Sequence, residues 1–335
     1  MWGLAFSGHG AKAPSAICGS HSSSDESQGP VRRHSWYSTP LTKTVEKPNA
    51  ATSMFLDSKD IPDLQRLIQE PRSGGISRIR GADISLSVAL FLAVTHRALW
   101  LAGKRNAASS IARLGLPGVS HSVNCLLSPQ PTNSENPLGA PRFDLYRIRS
   151  KQDLQCDEWL LFCDRFRRSA DGGRNGKMYL GVAAVLGEMG DNVVWHAFEA
   201  EDKPCPAIAG FHVSSGTTSF CVADAGQGFL KSLQRSTKWA GLKSDHDALD
   251  AVVTKCATSR PNEREGGGFK QLFNSLLDFN GLVVLRSGTS AFHLMNKGPE
   301  RELHADNCTQ IHGSAVTTVI CESGEPKEIP LENNS

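Results

Sequence analysis

An apolar run from Met178 to Phe198 carries Glu188, Asn192 and His196 at the spacing i, i+4, i+8. At 3.6 residues per turn these three side chains share one face of a helix. A carboxylate and an amide one turn apart in an otherwise apolar helix are costly to bury without partners. Two readings are open at this point. The polar residues stand at the wet edge of a core helix, or they are turned toward a ligand.

Composition narrows the classes. The 335 residues carry a formal net charge of +2, and no Lys/Arg run exceeds two residues. No basic stretch is interleaved with aromatics, so a nucleic-acid footprint is not expected. Nine cysteines are scattered singly, among them Cys125, Cys156, Cys205, Cys256 and Cys321, with no CxxC pair and no Cys/His cluster at zinc spacing. Reduced, structural thiols in a cytoplasmic protein are the expectation. The first residues lack a charged start followed by an apolar core, so no signal peptide is expected. The run from Val88 to Leu101 is broken by His96 and Arg97 and is too short to span a bilayer. It reads as a buried element.

In chain order, residues 1–52 are rich in Ser, Gly, Pro, Lys and His with no sustained period, which reads as a disordered tail. Residues 53–150 read as a small α/β regulatory or interaction domain. Its pieces are a short helix over 61–68, a strand over 76–79, a buried helix over 85–101 and a short helix over 109–114. Ile111-Ala112-Arg113-Leu114-Gly115-Leu116 closes that last helix, and the segment resembles the STAS modules of anti-sigma-factor antagonists. Four prolines between Pro129 and Pro141 mark a linker. A strand over 143–148 follows, and then a helix over 157–168 with Trp159, Leu160, Phe162 and Phe166 on its apolar side. Gly176-Lys177 has the look of a phosphate-binding loop but fails the template, because Asp171 and Met178 stand at its Gly and Ser/Thr positions.

Beyond the opening helix, Ala207–Val213 and Thr217–Val222 flank Ser214-Ser215-Gly216 as a hairpin. The second strand runs into Asp224-Ala225-Gly226-Gln227-Gly228. A helix over 245–258 follows, then Gly266-Gly267-Gly268-Phe269-Lys270 opening another helix. Strands over 281–287 and 315–321 close the series, the last preceded by Gly313-Ser314. Residues 326–335 read as a second tail.

Taken together, these motifs resemble the GHKL superfamily of ATP-binding domains, which includes sensor histidine kinases, anti-sigma-factor serine kinases, DNA gyrase, MutL and the large heat-shock chaperone. The matching pieces lie between residues 177 and 322. They are Glu188-x-x-Asp191-Asn192, Asp224-x-Gly226-x-Gly228, Gly266-Gly267-Gly268-Phe269 and Gly313-Ser314. The extension to His196-Ala197 is most similar to the anti-sigma kinases. The resemblance implies an α/β domain over 151–325 with the α+β two-layer sandwich of the Bergerat type. It departs from the usual pattern at Phe269, where Leu is usual, and at Ser314, where Thr is usual. Gly190 in the middle of the helix costs about 1 kcal/mol relative to Ala and points to close packing or a bend there.

What the resemblance implies for chemistry is specific. Asn192 offers its amide oxygen to a Mg²⁺ that also holds the ATP phosphates. Glu188 acts as general base on a water or hydroxyl, or else orients the amide. Asp224 accepts from the adenine amino group, which selects adenine. Gly226 and Gly228 let the backbone approach the base, with His196 and Ser314 beside them. Gly266, Gly267 and Gly268 present free N–H groups to phosphate at a helix start. Lys270 either reaches a phosphate or is a solvated helix residue. Residues 229–265 form a lid. The implied function is an ATP-binding regulatory protein acting as a protein kinase or ATP-gated switch on a protein partner, with homodimerisation open. The alternative is a conformational ATPase or a nucleotide-gated binding module without phosphotransfer. A sensor histidine kinase is disfavoured, because none of the upstream histidines is followed by Asp or Glu.

Overall fold

The computed structural model describes residues 55–56, 83–116, 118–127, 143–171, 176–198, 205–214, 216–259, 269, 272–273, 280–297, 300–307, 311–321 and 331. The expected tail over 1–52, the helix over 61–68, the strand over 76–79 and the linker over 129–141 lie outside the described residues. All the described residues belong to one compact unit, 50–335.

The first elements are a two-residue parallel pair, β1 (Phe55–Leu56) with β2 (Asp83–Ile84), and three helices, α1 (Leu86–Leu101), α2 (Arg105–Ala112) and α3 (Val119–Leu127). The strand β3 (Phe143–Ile148) leads through a 3₁₀ turn to α4 (Asp157–Asp171) and α5 (Gly176–Asn192), which ends in a π turn over Val193–Ala197. The hairpin β4 (Ala207–Ser214) and β5 (Thr217–Asp224) is followed by α6 (Gly228–Gln234) and α7 (Asp245–Lys255). The last strands are β6 (Asn280–Ser287), β7 (Ser290–Lys297), β8 (Glu300–Asn307) and β9 (Ser314–Cys321). Strands β3 to β9 form one mixed-connection sheet in the order β3-β4-β5-β9-β6-β7-β8, with every neighbouring pair antiparallel. The fold is therefore mixed α/β.

The period of two along a strand sends alternate side chains to opposite faces. In β5, Phe220, Val222 and Asp224 point to one face, called inner here, while Cys221 and Ala223 point to the other. Both faces are covered, so β5 reads as a nearly continuous buried run rather than an alternation.

On the inner face, α4 and α5 lie across β3, β4 and β5. Phe162 and Phe166 of α4 meet Phe211 of β4 at ring-centroid distances of 5.4 and 5.2 Å, and Phe166 meets Phe220 of β5 at 5.6 Å. Each such pair contributes about 1 kcal/mol beyond its buried area. Gly190 is the seat of Trp159, since a Cβ there would come within 2.7 Å of the indole. The helix-propensity cost of that glycine is thus offset by close packing of α4 on α5. Farther along, α6 and α7 cover the β6 and β7 side. Asp245 at the start of α7 accepts from the backbone N–H (2.9 Å) and hydroxyl (3.1 Å) of Thr289 in the β6–β7 turn.

The outer face is covered by α1 and α3. Helix α1 is apolar nearly all round, the signature of a buried helix, and Ser85 caps its start by accepting from Val88 N–H. Leu86, Leu90 and Leu92 join Leu145, Ile208, Cys221, Ala223 and Ala315 of the sheet in one core. Over β3, β4, β5 and β9 the helices of 86–127 thus add a third layer to the two-layer arrangement expected for 151–325. The described residues of 83–127, placed by the sequence in a separate STAS-like module, form β2 and the three helices α1, α2 and α3, and they share their core with the sheet. The physical reason is that β4 and β5 have apolar side chains on both faces and need a second cover. The boundary drawn at 150 falls just after β3, which pairs with β4 along its whole length. Leu331, inside the stretch expected to be a tail, is buried in the same outer core and donates its N–H to Ile84 O at 2.8 Å.

The β7–β8 hairpin is absent from the sequence reading. Strand β8, Glu-Arg-Glu-Leu-His-Ala-Asp-Asn, lies at the sheet edge, and its described residues 303–307 are exposed. Charge on an edge strand discourages pairing with other chains, and it also hides the strand from a hydrophobic pattern.

Candidate functional site

Strand β5 ends on Asp224, and its partner in register across the sheet is Ser314, the first residue of β9. Both are on the inner face. Ser314 donates its hydroxyl to Asp224 Oδ2 at 2.5 Å, and Gly226 donates its N–H to Oδ1 at 2.8 Å. Asp224 is only 4 % exposed. Burial raises its carboxyl to about 6, against the lowering pull of the hydrogen bonds from Ser314 and Gly226. The Ser314 N–H adds a third donor, so one of the carboxylate's roughly four acceptor sites stays open.

The chain turns sharply after Asp224, against the end of α5. A Cβ at Gly226 would overlap the Ala197 carbonyl, so only glycine lets the loop pass there. Gly313, with φ +86°, faces Asp224 O just as closely. The contact also answers a hydrogen-bond problem. The last carbonyls of a helix have no partner within it. Here Gln227 supplies them, its N–H bonding Ala197 O (3.2 Å) and its side-chain amide bonding His196 O (2.6 Å). Arg235, just after α6, donates to Phe198 O at 3.0 Å. The π turn of 193–197 and the loop of 224–228 therefore form one hydrogen-bonded corner.

That corner bounds a small cleft of about 30 Å³. Its polar lining is Asn192, His196, Asp224 and Ser314. Its apolar lining is Met189, Val193, Val222, Val316, Phe229 and Phe269, with Ala197 and Gly228 completing the wall. Most of the described sequence-derived candidates thus meet at one place. Gly228, at φ +76°, starts α6, and the next N–H, that of Phe229, bonds Ser287 Oγ at 2.9 Å. Gly226 adjoins the cleft through Asp224. Glu188, one turn before Asn192 on α5, is half-buried and is not among the residues lining the cleft. Gly266, Gly267, Gly268 and Lys270 lie outside the described residues, although Phe269 between them is buried and lines the cleft.

His196 has its own partners. Its Nδ1 is 3.0 Å from Ser232 Oγ on α6 and 2.9 Å from Ser259 Oγ beyond α7. Neither serine was marked in the sequence, because a serine's role here depends on which histidine it meets. Gln227 and Ser287 were likewise missed. Gln227 occupies a variable position inside the Asp-x-Gly-x-Gly motif, and Ser287 ends a strand whose pairing with β9 is not local.

The donor set suits some groups and not others. A buried carboxylate beside apolar walls suits a flat, weakly polar ring bearing an N–H donor. Among the described residues no group of three or more His, Cys, Asp or Glu can hold a metal ion. Asn192 alone fits a Mg²⁺ only where the other ligands are waters and phosphate oxygens, the usual manner of that ion. Among the described residues no helix is long and apolar enough to cross a membrane. Comparison with protein-family models gives no match, and comparison with curated protein sequences gives none at a significant level.

Proposed function

We propose that the chain is an ATP-binding regulatory protein with a histidine-kinase-like, Bergerat-type ATP domain, acting as a protein kinase or ATP-gated switch on a protein partner. The observation that carries this reading is the buried Asp224 carboxylate in an apolar cleft whose wall also bears Asn192. The adenine amino group would donate to Asp224, and the apolar lining would take the faces of the ring. Asn192 would hold the magnesium of Mg-ATP, which supplies charge neutralisation at the phosphates. The order of elements supports the reading: a polar-faced helix, a strand ending in Asp-x-Gly-x-Gly, a helical segment, and a strand beginning at Gly-Ser. The Gly266–Gly268 run and Lys270 are assigned to the phosphates by the resemblance.

A second reading, a conformational ATPase or a nucleotide-gated binding module without phosphotransfer, is favoured by the place of Glu188 outside the cleft lining. A general base must reach the proton it removes.

Calorimetric titration with Mg-ATP tests the shared core of both readings. Asp224→Asn and Asn192→Ala should each weaken binding by at least tenfold. Unchanged affinity in both variants discards the nucleotide assignment. Incubation with γ-labelled ATP then separates the two: label on a protein Ser, Thr or His supports the kinase, free phosphate the ATPase, and neither the binding module.

A further inference from the structure

His196 belongs to the cleft wall, yet its Nδ1 is engaged by hydroxyls from two other elements. Ser232 is on α6 and is buried. Ser259 is on the segment after α7, and the two hydroxyls are themselves 3.3 Å apart. The three polar groups form a closed triangle. A single imidazole nitrogen takes only one hydrogen-bond role at a time, as donor or acceptor. The triangle is satisfied when one hydroxyl bonds the nitrogen and the other bonds the first hydroxyl. Losing one serine leaves the other able to bond the nitrogen, so both must be removed to open the joint.

The chain makes an unusual turn to bring Ser259 there. Helix α7 is capped by Cys256 in the left-handed conformation, φ 48° and ψ 44°, the one non-glycine positive φ among the described residues. For a residue with a Cβ this conformation is costly and persists where surrounding contacts fix it. The contacts are the burial of Ala257, whose N–H bonds Ala251 O at 3.1 Å, and the hydroxyl of Ser259 on His196. Two observations, a strained cap and a closed polar triangle, point to the same fastening.

We propose that Ser232 and Ser259 are positioning residues for His196, and that the triangle is the joint fastening α6 and the 256–259 segment to the wall of the cleft. Through it, filling of the cleft is felt by the chain that leads away from α7. The fastening stands on the geometry alone; its response to a ligand rests on the nucleotide reading above.

Hydrogen exchange read by mass spectrometry on the full chain tests the proposal, with and without Mg-ATP. Without ligand, the paired change Ser232→Ala and Ser259→Ala should speed exchange across 254–259 at least tenfold, while β5 and β9 exchange as in the wild type. Ser259→Thr, which keeps the hydroxyl, should restore most of the protection. With Mg-ATP, the wild type should gain protection across 254–259, and the paired variant should bind but lose that gain. Unchanged exchange of 254–259 in the ligand-free variant overturns the joint. Protection that survives in the ligand-bound variant overturns its coupling to the cleft. A wild type that does not bind Mg-ATP discards the nucleotide reading and the coupling with it, and the ligand-free comparison still decides the joint.

Discussion

Both faces of the central sheet are covered by helices, but the buried titratable groups Asp224 and His96 on the two sides are held differently. On the inner face, the buried Asp224 has a donor on each oxygen and sits at the closed corner of a cleft. On the outer side, His96 of α1 is 6 % exposed and its Nδ1 has no hydrogen-bond partner, as is also true of Ser122 Oγ on α3. A buried polar group with a full set of donors and space beside it can serve a ligand. One without a partner only lowers stability. Burial alone therefore does not mark a site; burial with satisfied hydrogen bonds and an adjoining cavity does.

The sharpest way to separate the faces is to remove bulk from the outer one. Leu90→Ala empties a fully buried position in the outer core and should cost about 4 kcal/mol of stability. Below its melting range the variant should keep its Mg-ATP affinity, as calorimetry beside thermal denaturation would register. A loss of affinity in the folded variant would mean that the two faces are not independent.

Acid titration gives the next largest effect, and the two faces should respond with opposite sign. The folded Asp224 titrates near 6, above its unfolded value of 3.8, so the folded state holds the proton more tightly. Its contribution is fully present below the unfolded value and is lost as pH rises toward 6, amounting to about 3 kcal/mol. Asp224→Asn should remove that slope from denaturant-derived stability. The ionised carboxylate is the better acceptor, so wild-type affinity for Mg-ATP should rise as pH rises through about 6. Burial and the nearby Arg97 lower the titration of His96, so its contribution is present above 6.5 and fades as pH falls below it. A titration of His96→Leu lacking this acid-side loss relative to wild type would identify it.

Gly226→Ala is a smaller change with a larger functional consequence. The added methyl should cost about 2 kcal/mol as the loop is forced off Ala197. It should also weaken Mg-ATP binding by more than tenfold, because the loop carries the Gly226 N–H that holds Asp224 Oδ1. A variant that is destabilised yet binds normally would show that the corner is only structural. The smallest effect belongs to the outer face. His96→Leu should raise stability by about 1 kcal/mol, since it removes an unpartnered buried nitrogen at nearly constant volume. It should leave nucleotide affinity untouched.

How much of this was legible in the sequence varied with the range of the interaction. The hairpin β4–β5 was readable because its turn and both strands are contiguous. So was α1, whose apolar run has nowhere to go but a core. The grouping of Asn192, His196, Asp224 and Ser314 was implied by the family resemblance and not by any one motif, and these four line one cleft. The outer helical layer did not, because strands buried on both faces carry no sign of which segment covers the second face. Strand β8 was missed for its charge. The partners of His196 were missed because neither Ser232 nor Ser259 differs locally from any surface serine. Gln227 illustrates the same limit, since its work is done by reaching carbonyls on a helix that precedes it by thirty residues or so in the chain.

The bond from Leu331 N–H to Ile84 O has a consequence for synthesis. Helix α1 emerges early from the ribosome, while the sheet strands that cover it, and finally Leu331, emerge much later. Throughout that interval a helix that is apolar nearly all round has no complete cover. Contacts this distant in sequence also slow folding, because loop closure precedes their reward. Until β4, β5 and β9 have emerged, the buried face of α1 therefore lacks the sheet that covers it in the folded chain.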